Sequence, residues 1–291
     1  MSDVLTGFLS SWRLFGDAYV LALTSASLLG LLGVVVVGRG QMFVGAAIGQ
    51  SAALGTAIAL LLTFLGWLPA SIGPVSLQLL LTIATGVAAS LWIGRGRSEL
   101  SSSIGVGDER SAIVFVSASA LAIVMLADLP QGTRQLQAVL GSSVLGASRL
   151  DVILTGTALA GVVTGAVVFG RRLGLLLTDP TMAAAIGMRL GVWSLLLAAV
   201  LGGGISLSIA TTGFLFTFGV LVLAPLAARE LCRRTATVFV LAPIVGFVGT
   251  LIGLIAAFGL DLPPGPMAVC ALAVTYALLV AGRRVVAVAL D

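Results

Sequence analysis

The chain has 291 residues, of which 59% are hydrophobic and only 9% charged, with a formal net charge of +4. A soluble globular domain carries about 25% charged residues, so this composition excludes that class. All fifteen basic residues are Arg, and there is neither Lys nor His.

Uncharged runs cover 18–38, 40–94, 111–127, 152–170, 190–228, 235–260 and 262–282. A helix needs roughly 20 apolar residues to cross the hydrocarbon of a bilayer. The short runs therefore cross once and the two longest cross twice. Breaks are predicted at Trp67–Pro74 ("WLPASIGP") and Gly202–Thr212 ("GGGISLSIATT"). The expected fold class is an all-α integral membrane protein with about nine (eight to ten) transmembrane helices. The whole of 1–291 reads as one transmembrane domain. The first uncharged run, beginning at Ala18, suits a first span rather than a cleaved signal peptide.

The second span opens with "GRGQMFVGAAIGQSAALG", Gly38 to Gly55, where small residues surround a single amide, Gln50. Gly45/Gly49 here and Gly161/Gly165 later form G-x-x-x-G pairs, which favour close helix packing in lipid. Residues 129–150 are expected to stay on the outer side as a loop or short helix, since their uncharged stretch is too short to cross. With that segment outside, twelve Arg fall on the side of Arg39 and three, Arg13, Arg134 and Arg149, on the other. By the positive-inside rule the N-terminus is then external and the C-terminus cytoplasmic, in the inner or plasma membrane. The net charge reads as topology and gives no indication of nucleic acid.

Between two spans lies Leu175–Gly191, "LLLTDPTMAAAIGMRLG". Asp179-Pro180 has the form of a helix N-cap followed by Pro at the first position. Thr181–Ile186 then favours a short helix, and Gly187 suits a left-handed stop. Two readings fit this segment: a helix–Gly–helix elbow that docks a soluble partner, or an ordinary interfacial loop. In Thr212–Arg234, Pro225 sits near the cytoplasmic end, where it either kinks a gating helix or ends the span. Cys232 and Cys270 are placed near opposite surfaces, too far apart for a disulfide.

Absent residue types narrow the function. Without Lys there is no phosphate-binding loop of the Walker A kind, so ATP hydrolysis by that machinery requires a separate subunit. Without His there is no imidazole for metal binding or general base work. No acidic residue is expected at mid-membrane, where ion-coupled carriers keep one. The chain reads as a solute pathway rather than an enzyme.

Three blocks carry a family resemblance. They are Arg39-Gly40 with Met42, Gly45 and Gly55; Asp179-Pro180 with Ala184 and Gly187; and Gly219 to Ala228 with Pro225-Leu226-Ala227-Ala228. Ala138–Gly146 and Pro264-Gly265-Pro266 also match in position. In these the chain resembles the permease subunits of ABC importers for zinc, manganese and iron, which share the type II importer fold of the vitamin B12 and siderophore permeases. The resemblance implies alternating access driven by ATP that a partner uses, with no cofactor bound covalently to this chain. It implies a homodimer, two copies of an ABC ATPase and an extracytoplasmic substrate-binding protein, in a lipid bilayer. Asp179, Pro180, Ala184, Gly187 and Arg189 would couple to the ATPase, and 175–191 would be the coupling segment.

One departure stands out. The family's second span places Asp and His one turn apart, and Ala46 and Gln50 occupy those positions. Residues i and i+4 share a helix face, so this face, with Ser51 beside it, offers a methyl and a neutral amide to the expected substrate pathway. An amide oxygen is a poor Zn²⁺ ligand though acceptable to harder ions. No residue set is identified as a metal site. The alternatives are a permease of the same fold for a non-metal small solute, or a channel or facilitator without ATP coupling.

Overall fold

A computed structural model of the chain describes residues 2–66, 74–95, 106–127, 146–232 and 234–290. The expected outer segment, apart from 146–150, lies outside the described residues, as does most of the first predicted break. The helices are α1 (Ser2–Gly38), α2 (Met42–Phe64), α3 (Pro74–Arg95), α4 (Val106–Ala127), α5 (Arg149–Thr178), α6 (Pro180–Ala185), α7 (Leu190–Thr212), α8 (Phe214–Leu231), α9 (Thr235–Leu260) and α10 (Pro264–Leu290). Nine of these are long and apolar enough to cross a membrane, all but the six-residue α6. Two compact units form: residues 1–39, 142–174 and 211–291 in one, 40–141 and 175–210 in the other.

The first unit is built on α1, α8, α9 and α10. Between lipid-soluble helices burial of apolar area gives little drive, so close backbone approach must supply the contact. A side chain at Gly33 would meet the Leu221 carbonyl and, at 2.9 Å, the ring of Pro225. Pro225 has no N–H to donate to that carbonyl four residues earlier, and Gly33 lets α1 press against it. Gly246 lies against the Ala26 carbonyl in the same way, and Gly253 against the backbone of Ala268.

The first span begins differently from the sequence expectation. The helix starts well before Ala18, and it is bent at Phe15, where φ is −115° and ψ 15°. Phe8 and Tyr19 stack with ring centroids 4.9 Å apart. Eleven residues of straight helix would separate them by about 16 Å, so the arm before Phe15 folds back. Trp12 and Phe258 complete the aromatic cluster. Arg13 and Asp17 beside the bend explain why charge alone marked the span as starting later.

The second unit packs α2 against α3 and α4, with α7 crossing α3. The predicted break at Gly202–Thr212 is not where the chain turns. Helix α7 runs through the glycines to Thr212, and the turn is Gly213, whose φ of +87° is open to glycine. The glycines serve contact instead: a side chain at Gly202 would stand 2.8 Å from Val87 Cα and 2.9 Å from the Gly86 carbonyl. Ser90 seals this crossing by donating to the Ala198 carbonyl at 2.5 Å. Ser90→Ala is expected to cost about 0.6–1.7 kcal/mol, the range for hydrogen bonds between membrane helices. Thermal unfolding in detergent would show it as a small downward shift.

Candidate functional site

Two of the expected functional regions lie in the second unit and are built by different rules. The first is the α2 face. Ala46 is 5% exposed and Ser51 4%. The Ser51 hydroxyl is occupied within the helix, donating to the Ala47 carbonyl at 3.0 Å. Gln50 is half-buried. Helical phase places it on the stripe of Phe43, Leu54 and Ala57. That stripe packs on α4 through Phe115, Ala122 and Leu126. Of the three pathway candidates, Gln50 is the least enclosed. Among the described residues no three His, Cys, Asp or Glu side chains gather at metal-binding distance.

The adjacent polar seam was not foreseen. Thr56 and Thr82 share a hydrogen bond of 2.9 Å between α2 and α3, and Thr82 also donates to the Gln78 carbonyl. Isolated hydroxyls in membrane helices usually bond to their own backbone, so nothing in the spacing signalled an interhelical pair.

The second region is the elbow at 179–189, which folds by local chemistry. Asp179 caps α6: its carboxylate accepts from the Met182 N–H at 3.0 Å and from the Thr181 hydroxyl at 2.6 Å. Pro180 occupies the first turn, where a missing N–H costs nothing. The Thr181 hydroxyl, then the Met182 amide, hold the Asp179 carboxyl below its ordinary value. The cap is thus fully formed above the ordinary carboxylate range and is lost as pH falls through the lowered value.

The helix closes with paired bonds from Gly187 N–H to the Ala184 carbonyl at 3.0 Å and from Met188 N–H to the Ala183 carbonyl at 3.1 Å. This is a Schellman ending, and it needs the left-handed residue that Gly187 supplies at φ +84°. The Arg189 carbonyl then receives the first amides of α7, from Val192 and Trp193. Ala183 is fully buried, whereas Met182 and Ile186 are 56% and 62% exposed. Ala184, Gly187 and Arg189 are exposed beside them. The result is a rigid, outward-facing turn that pairs an apolar surface with a cation.

Pro225, in the first unit, lies inside α8, which continues to Leu231, so it does not end the span. It is buried against Gly33 of α1.

Comparison with known proteins gives a consistent picture. Residues 12–283 match the model of the ABC 3 transport family. The manganese transport system membrane protein MntC of Halalkalibacterium halodurans is 26% identical over 268 residues, 88% of this chain and 84% of that protein. Among solved structures, PsaBC from Streptococcus pneumoniae in complex with Fab superposes with a TM-score of 0.76 at 19% identity, over 94% of this chain and 95% of that one. An inward-facing metal-chelate type ABC transporter gives 0.72 at 18% identity, over 91% and 85%. The fold is that of ABC permeases.

Proposed function

We propose, since the chain belongs to the ABC 3 transport family, that it moves a divalent metal or a metal complex inward by ATP-driven alternating access. It is a multi-pass membrane permease, and its family works with ATPase and substrate-binding partners. The observation that carries the coupled reading is the elbow at 179–189. An Asp cap, a Pro start and a Schellman stop fix six residues of helix with their apolar side turned outward. A facilitator without ATP coupling has no use for such a docking surface.

On this reading a separate ATPase, two copies per transporter, binds the elbow and uses the ATP, and this chain carries no covalent cofactor. Two copies of this chain form the pathway. Supporting that, at Gly156, Gly161 and Gly165 on α5 no other element among the described residues comes within 4 Å of the position a side chain would take. The pair at Gly161/Gly165, expected from its spacing to pack closely on another helix, meets no other element among the described residues. A cytoplasmic C-terminus in the inner membrane fits the pairing of Arg149 with Asp17 at the Arg-poor end, 3.7 Å, and of Arg283 with Glu230 at the Arg-rich end, 2.7 Å.

A divalent metal is the family expectation, and the manganese named for the relative supports it. The neutral Ala46/Gln50 face favours a second reading, a metal chelate whose ligands travel with it. Transport in proteoliposomes carrying the partner ATPase and supplied with the binding protein tests the proposal; uptake independent of ATP would overturn it.

Restoring the two ligands separates the substrates. Ala46→Asp with Gln50→His is expected to slow uptake of bare Mn²⁺ or Zn²⁺ at least about ten-fold if the ion normally passes without ligands, because a coordinated ion leaves slowly. Uptake of a chelate should change little. Faster bare-ion uptake in the double variant would show that the native chain is adapted to another cargo.

A further inference from the structure

The Arg-rich end of the first unit carries a charge arrangement that the transport reading leaves unused. Arg229 lies in the last turn of α8 and Arg234 at the N-cap of α9. The α8 carboxylate between them, Glu230, is engaged by Arg283 of α10 at 2.7 Å. That pairing leaves Arg229 and Arg234, both exposed, without a partner among the described residues. Salt-bridge neutralisation is therefore already spent on one cation, and two guanidinium groups remain on adjacent helix ends.

The surface above them is apolar. Val240, Ile244 and Val248 form an exposed stripe on α9, and Val274 and Leu278 one on α10. Val240 stands about 9 Å along the axis from Arg234, and Leu278 about 7 Å from Arg283. Leu231, itself 50% exposed, lies between Arg229 and Arg234. An acidic soluble protein would satisfy the arginines alone, whereas the stripes lie within two spans and face the acyl chains of the bilayer. An anionic phospholipid satisfies both, with acyl chains along the stripes and a phosphate at the guanidinium level. Guanidinium and phosphate match in geometry, and each Arg near an anionic membrane surface contributes appreciably to binding.

We propose that Arg229 and Arg234, held beside the Arg283–Glu230 pair, form a headgroup site for an anionic phospholipid at the end of α8, α9 and α10. Native mass spectrometry of the full chain, released from detergent with added phosphatidylglycerol or phosphatidylcholine, tests it. Phosphatidylglycerol should be retained over phosphatidylcholine about ten-fold or more. Arg229→Gln with Arg234→Gln should reduce that preference by roughly ten- to thirty-fold, the effect of two surface cations. Arg13→Gln with Arg149→Gln, at the other end, should leave it unchanged. Glu230→Gln keeps the site's cations and frees Arg283, so it should raise retention; this variant tests the site even if the double Arg variant fails to fold. Equal retention of the two lipids, an unchanged preference in the double variant, or a fall with Glu230→Gln would overturn the proposal. Displacement of the lipid by millimolar inorganic phosphate would also overturn it, by showing a free-anion site, and a shift to dimers with no lipid bound would assign the stripes to a second copy.

Discussion

Replacing Gly187 by Leu is expected to abolish ATP-driven uptake, by at least about ten-fold, while the partner ATPase continues to hydrolyse ATP. Gly187 sits at φ +84°, where an L-residue costs about 1–2 kcal/mol. The elbow relieves that strain most easily by releasing the bonds from Gly187 to Ala184 and from Met188 to Ala183. Among the described residues nothing lies within 4 Å of the glycine's missing side chain, so the fold itself should survive. What changes is the angle between α6 and α7, which on the coupled reading is the part of the chain that transmits the ATPase's movement. Gly187→Asn is the matched control, because Asn enters the left-handed region readily; it should retain most of the transport. Uptake and phosphate release measured on the same proteoliposomes separate the two steps. A Leu variant that transports normally would remove the elbow from the coupling mechanism.

The elbow was legible in the sequence because every rule that makes it is local. An Asp cap, a Pro and a glycine within nine residues suffice, and each appears in the structure in its expected role. The transmembrane character was legible from composition for a similar reason, since uncharged length is all that a span requires. Glycines were ambiguous because two different demands select them. Gly202 falls in the predicted break, yet it serves a close helix crossing, whereas Gly213, eleven residues later, makes the turn. Gly161 and Gly165 have the spacing of a close helix contact and meet no other element among the described residues. Which demand applies is set by what stands opposite, and that is a tertiary fact. The half-burial of Gln50, the Thr56–Thr82 pair and the bend at Phe15 were hidden for the same reason.

That ambiguity gives the second large effect. Gly202→Val should destabilise the isolated chain by on the order of 3 kcal/mol, at the upper end of overpacking costs. Its new methyls would overlap the backbone of Val87 and Gly86, and backbone cannot rotate away as a side chain can. Separating α3 from α7 to make room would also break the Ser90 to Ala198 bond, so the two losses are coupled. Gly165→Val is the same chemical change on a helix whose glycine face is open, and within the monomer it should cost under about 0.5 kcal/mol. Its effect should fall on assembly, because a β-branched side chain blocks the close approach that a small-residue face permits. Unfolding of the monomer in detergent and sizing of the reconstituted protein read the two properties apart. Equal destabilisation by both variants would mean that α5 is packed within the chain after all. An intact dimer with Gly165→Val would place the subunit contact elsewhere than on α5.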